Sequence, residues 1–181
     1  MATLPPALEA IWREMEDHRA ALWRDVAGLT QAQASWRPTA GDWCIVEILH
    51  HLTLAEVATG KLTSKLLKDH AEKLRPFPAD LTAFRPLPDW PPGPREAPPV
   101  VRPTDGQELG ELVSTLRATR ERSRQTLERL GAFDPRPLSW PHFTLGELDL
   151  GQWWLLQARH EGDHGQQLHT IRAHRAFPVA S

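Results

Sequence analysis

The sequence predicts an all-α fold: a four-helix bundle with one long proline-rich crossover between its second and third helices. Three observations predict it. Apolar residues recur every three or four positions in four separate stretches, as one buried helical face requires. No stretch alternates apolar and polar residues in the manner of a half-buried strand, and no internal repeat is present. Ten prolines fall between Pro76 and Pro103, a density at which no regular helix survives and a central strand loses too many donors.

The elements follow in order. Pro5 and Pro6 suit a helix start, where a missing amide donor has no partner to lose. Leu8, Ile11, Trp12, Met15, Leu22, Val26 and Leu29 then make one stripe. Polar and small residues from Thr30 to Gly41, with Pro38, read as a loop. Asp42 is placed to cap a second helix whose core face is Ile45, Ile48, Leu49 and Leu52, continuing past Leu62 to Leu66 and Leu67. In the 76–103 segment, Phe77, Phe84 and Trp90 argue for packing across the bundle surface rather than a solvated linker. Thr104 and Gln107 resemble a capping box before a third helix, marked by Leu109, Leu112, Val113, Leu116, Leu127 and Leu130 and ending near Gly131. A second connection carries Pro135, Pro137 and Pro141. Thr144 and Glu147 read as another capping box, and Leu148, Leu155, Leu156, Leu168 and Ile171 give a fourth helix running to about Arg175.

A chain of 181 residues, 40% apolar and 24% charged, reads as a single domain over 1–181 that buries enough surface to fold without a metal. A net charge of −2 argues against broad binding to phosphate backbones or acidic membranes. Arg117, Arg120, Arg122, Arg124 and Arg129 are interleaved with Glu121 and Glu128 and lack an aromatic platform, so they read as a solvated helix surface, not a nucleic-acid site. No stretch approaches the roughly 18 apolar residues of a membrane span. The first twenty residues carry five acidic and basic groups between Glu9 and Asp17 where a secretory signal needs an apolar run, which makes a cytoplasmic location the expectation. The lone Cys44 excludes an internal disulfide and a Cys-rich zinc module. Adjacent Trp153 and Trp154 cannot both face one core, and the expected use of the second is a homodimer interface.

The histidines carry the chemistry. His160 and His164 stand four apart in Arg159-His160-Glu161-Gly162-Asp163-His164-Gly165, one turn apart on one helical face. Two imidazoles so placed reach one divalent ion at about 2.0–2.1 Å each. Leu156, Leu168 and Ile171 keep that face near the core side. Gly162 and Gly165 each cost a helix interior about 1 kcal/mol relative to alanine, so either a close approach compensates or glycine is merely tolerated. The five residues also spell H-E-x-x-H, the zinc-protease pattern. That reading fails, because only 17 residues follow His164 and His169 lies at the wrong offset for a third ligand. Glu161 is also rotated about 100° from His160. A third ligand must therefore come from a facing helix. His50 and His51 are both available there; being adjacent, only one can join the site, and periodicity leaves the choice open.

The stretch Trp36-Arg37-Pro38 through Gly41-Asp42-Trp43-Cys44-Ile45-Val46-Glu47-Ile48-Leu49-His50-His51-Leu52 resembles the first signature of the DinB-like superfamily, the DinB/YfiT type of bundle. Pro141-His142-Phe143-Thr144-Leu145-Gly146-Glu147-Leu148, with His160-Glu161 and His164 through Gln167, resembles the second. Cys44 stands where the family usually has serine or threonine. The resemblance implies a three-histidine metal site. Its first ligand is the histidine before the leucine, eight residues after the motif tryptophan, which maps onto His51 with Trp43 as the tryptophan; His160 and His164 are the others. Three neutral ligands leave an open fourth position, and imidazoles suit zinc or nickel. Glu47, Glu56 and Gln167 are candidate acceptors for the second ring nitrogens. The resemblance further implies an enzyme acting on a small-molecule substrate. Relatives include bacillithiol- or mycothiol-dependent S-transferases and a mycothiol-dependent isomerase, and others are described as metal-dependent hydrolases. The expected function is thus metal activation of a low-molecular-weight thiol for transfer to a small electrophile. The alternatives are hydrolysis by metal-bound water, or a stress-related metal-binding bundle without catalysis.

Overall fold

The computed structural model describes residues 3–93 and 96–179. Four long helices carry the fold: α1 (Pro6–Val26), α3 (Ile45–Asp69), α4 (Leu109–Leu130) and α5 (Leu150–Arg172), with a short α2 (Gln31–Ala34) after α1. Two 3₁₀ turns, Ala71–Lys73 and Pro99–Val101, sit in the crossover. A two-stranded antiparallel hairpin, β1 (Ser139–His142) and β2 (Gly146–Asp149), precedes α5.

The hairpin and the helix starts depart from the sequence expectation. Thr144 lies in the hairpin turn, and α5 begins six residues later, capped by Asp149 and Gln152 in a reciprocal box. The sequence hides this because strands of four residues are too short to show alternation, and Pro141 argues against one. Pro141 is tolerated because the ribbon has only two strands and hence two free edges. Cys44, not Asp42, occupies the cap position of α3, where the Glu47 carboxylate accepts from its backbone N–H at 2.8 Å. Thr104 and Gln107 do not form the expected capping box: their side chains bond each other, and α4 opens only at Leu109 with Glu108 at the cap position.

Side-chain pairings fix the helix directions. His18 lies against Gly162 and Asp25 against His169, so α1 and α5 run parallel. Glu56 pairs with Arg120 and Ser64 with Arg129, so α3 and α4 also run parallel. His51 faces His160 and Thr63 faces Trp154, so α3 and α5 are antiparallel. Parallel α3 and α4 oblige the intervening chain to travel the bundle's length. It does so as a strap. Phe77 N–H bonds Ala132 O at one end (3.3 Å), Phe84 packs on Gly151, Gln152 donates to Pro86 O (2.9 Å), and Val101 reaches His51 at the other end. Gly151 is glycine for a steric reason, since a Cβ there would overlap the Phe84 ring.

The core has two apolar halves. Leu22, Val26, Ile45, Ile48, Leu49, Leu52, Leu112, Leu116, Leu168 and Ile171 fill one end. Leu8, Ile11, Met15, Leu66, Leu127, Leu130, Leu150 and Trp154 fill the other. Between them lies a buried charged layer of Arg19 from α1, Glu56 from α3, Arg120 from α4 and Glu161 from α5. Arg120 is therefore not part of a solvated surface as its sequence context suggests: two carboxylates compensate its desolvation. Trp154 is the buried member of its pair. Trp153 is covered by its own chain, beside Leu87, Trp90 and the hairpin, with its N–H on Trp140 O (3.1 Å). No helix among the described residues is long and apolar enough to cross a membrane.

Candidate metal centre

His51 sits under two turns into α3, and His160 and His164 lie about the middle of α5. Because the two helices are antiparallel neighbours, the three imidazoles meet in their shared seam. Their candidate donor atoms all lie within 4.8 Å of one another, and His51 Nε2 is 2.9 Å from His160 Nε2. Ring centroids are 4.5–4.8 Å apart in all three pairs. Bonds of about 2.0–2.1 Å to a tetrahedral ion place two donors about 3.3 Å apart, so the spacing suits one ion. His51 is buried, and the other two are half-buried and open on one side.

Two ring orientations are set by acceptors. His51 Nδ1–H donates to Val101 O at 2.6 Å, and His164 Nδ1–H to Gln167 Oε1 at 2.8 Å. Each bond commits the proton to Nδ1 and leaves a lone pair on Nε2. Burial, chiefly, lowers the His51 pKa to about 4, opposed by the Val101 carbonyl and helped by His164 and His50. His51 is therefore neutral at neutral pH, the form that ligates. Trp43 flanks the cluster, 4.9 Å from His51 and stacked 5.9 Å from His164. His50 turns away, accepting from Thr104 N–H at 3.2 Å.

Of the candidate acceptors, Gln167 takes that role. Glu47 instead holds Arg37, with one contact at 2.9 Å, and the Cys44 amide. Glu56 and Glu161 belong to the charged layer. Burial pushes the Cys44 thiol pKa up, which leaves it a poor nucleophile. Gly162 answers the question its helix interior poses: a Cβ there would lie 2.7 Å from the His18 ring, so a side chain at 162 is admitted only if His18 moves aside. Gly165 has nothing within 4 Å and is simply tolerated. The strap's part in the cluster could not be read from the sequence, because Val101 contributes a backbone carbonyl.

A profile of the DinB superfamily matches residues 14–168, which spans all four long helices and all three histidines. The chain belongs to the DinB superfamily. In fold it is similar to the crystal structure of TT2238, a four-helix bundle protein, with a TM-score of 0.63 at 19% identity over 91% of this chain and 99% of that one. No curated protein sequence matches the chain.

Proposed function

We propose that this DinB-superfamily bundle binds one divalent cation, zinc or nickel, through His51, His160 and His164, and uses it to activate a low-molecular-weight thiol for transfer to a small electrophile. The observation that carries the reading is the convergence of three imidazoles, two with their Nδ1–H groups already committed, on a site open at one side. When bound, such an ion supplies the Lewis acidity that deprotonates a coordinated thiol or water. The chain's own residues hold and aim the donors. Val101 O and Gln167 fix two rings, and Trp43 shields one flank from water. Deprotonation of a thiol by an ion needs no neighbouring side-chain base. Hydrolysis by metal-bound water is the alternative, and Glu47, Glu56 and Glu161, all held by arginines, offer no free carboxylate base for it. The same observation supports a second reading, a metal-binding bundle without catalysis.

The test is elemental analysis of protein purified without a histidine tag, beside the His51→Ala/His160→Ala/His164→Ala variant. About one equivalent of zinc or nickel, lost in the variant, supports the site. Transfer of a thiol to monochlorobimane, dependent on that metal, then separates the enzyme from the passive binder. No metal after incubation with both ions sinks both readings.

A further inference from the structure

We infer that Arg19 and Arg120 are positioning residues of the histidine cluster: together they clamp the two helices that carry its members. The inference rests on the metal reading for its significance but not for its geometry. Arg19 donates to Glu56 on α3 at 2.7 Å and to Glu161 on α5. Arg120 donates to the same pair, at 2.9 Å to Glu56 and again to Glu161. Each guanidinium thus bridges one carboxylate from each ligand-bearing helix. Glu56 follows His51 by five residues, and Glu161 follows His160 by one.

Apolar packing does not do this work locally. Of the nine residues from Arg159 to Gln167, Glu161 alone is buried, and none carries an aliphatic side chain. Ala158 and Leu168 anchor α5 on either side, but over the two and a half turns between them Glu161 is the one fully buried side chain, beside the contacts of Gly162 with His18 and of His160 with His51. The chain advances about 100° per residue, so His160 and Glu161 point in different directions from α5. On α3, five residues separate His51 and Glu56 by about 140°. The carboxylates turn toward α1 and α4 while the imidazoles meet in the seam. Fixing the carboxylates fixes the azimuth of each helix, and the azimuths decide whether His51 and His160 meet at 2.9 Å. Without the arginines, the two buried carboxylates would lose the donors that fix their directions, and at least one would be driven to take up a proton.

A purely structural layer makes a different forecast. Replacing a buried ion cluster by apolar residues of similar size is often neutral or stabilising, yet removes directional contacts. The experiment compares the parent with Arg19→Met/Arg120→Met/Glu56→Leu/Glu161→Leu, measuring thermal midpoint and zinc Kd by competition with a chromophoric chelator. The expected result is a midpoint at or above the parent's with zinc bound about 10- to 100-fold more weakly, the range for lost outer contacts to metal ligands. Unchanged zinc affinity in the folded variant overturns the inference. Should the quadruple variant not fold, Arg19→Lys and Arg120→Lys decide, because each keeps the charge but loses the two-armed fork. Weaker zinc binding in either, at parental midpoint, supports the clamp, and parental affinity in both overturns it. Should the parent itself bind no zinc, the metal reading falls separately. The nuclear Overhauser contact between the His51 and His160 rings then decides: the clamp requires it in the parent and its loss in the variants, and persistence in the variants overturns it.

Discussion

His160 and Glu161 are consecutive residues of α5, yet one belongs to the histidine cluster and the other to the charged layer. The layer is internally complete. Two guanidiniums meet two buried carboxylates, with Glu16 adding a third, half-exposed one on Arg120, and the arginines hold the Glu56 carboxyl below its ordinary range despite its burial. The cluster is of another kind: three imidazoles converge, with the His51 and His164 Nδ1–H groups committed to acceptors and His51 Nε2 set 2.9 Å from His160 Nε2. The contrast separates a group of ionisable residues that holds a fold from one that invites a ligand. Burial alone does not, since both lie within the bundle.

Each cluster can be broken by itself. The largest effect is expected from Glu161→Leu alone, which leaves two buried arginines sharing Glu56 as their one buried carboxylate, with only the half-exposed Glu16 beside Arg120. Chemical denaturation should show a loss of about 3–5 kcal/mol, the usual cost of orphaning a buried charge. His51→Ala/His160→Ala/His164→Ala should lose far less apo stability but all stabilisation by zinc. For the parent that stabilisation should reach about 2.7 kcal/mol at free zinc 100-fold above Kd, read as a rise in thermal midpoint. A smaller contrast lies in the helix glycines. Gly162→Ala should cost about 1–3 kcal/mol through overpacking on His18, whereas Gly165→Ala should gain up to about 1 kcal/mol. Acid sharpens the comparison. The depressed Glu56 pKa means that the layer's contribution is fully present above about pH 4.5 and is lost as pH falls through the lower folded value. Both the parent and the apolar quadruple variant should lose stability below about pH 6.5, because neutral His51 titrates near 4 when folded, and an additional fall below about pH 4.5 in the parent alone would locate that loss in the layer.

The four long helices were legible because their apolar stripes are long and regular, and the crossover because proline density is unambiguous. The pair His160 and His164 was legible from spacing, but the choice of His51 over His50 needed the family signature. The charged layer was missed although its signal exists. Arg19 lies four residues after Met15 and three before Leu22, and Arg120 lies four after Leu116 and seven before Leu127. Both occupy core positions in otherwise apolar stripes, and a charge there asks for a partner. Which partner was beyond reach, because Glu56 and Glu161 lie on helices 37 and 142 residues from Arg19.

Parallel packing of α1 with α5, and of α3 with α4, also bears on how the molecule comes into being. The seam that gathers the histidines joins residues 109 apart, His51 and His160, and the strap that orients His51 must first be laid along the whole bundle. Contacts so distant in sequence form late, after the entropy of closing long loops has been met. α1 packs chiefly on α5 and α3 on α4, so these pairs can associate before the histidines of α3 and α5 meet. An ion meeting the chain at that stage would find no three-histidine cage. The three histidines thus come together only in molecules whose α3 and α5 have docked in register.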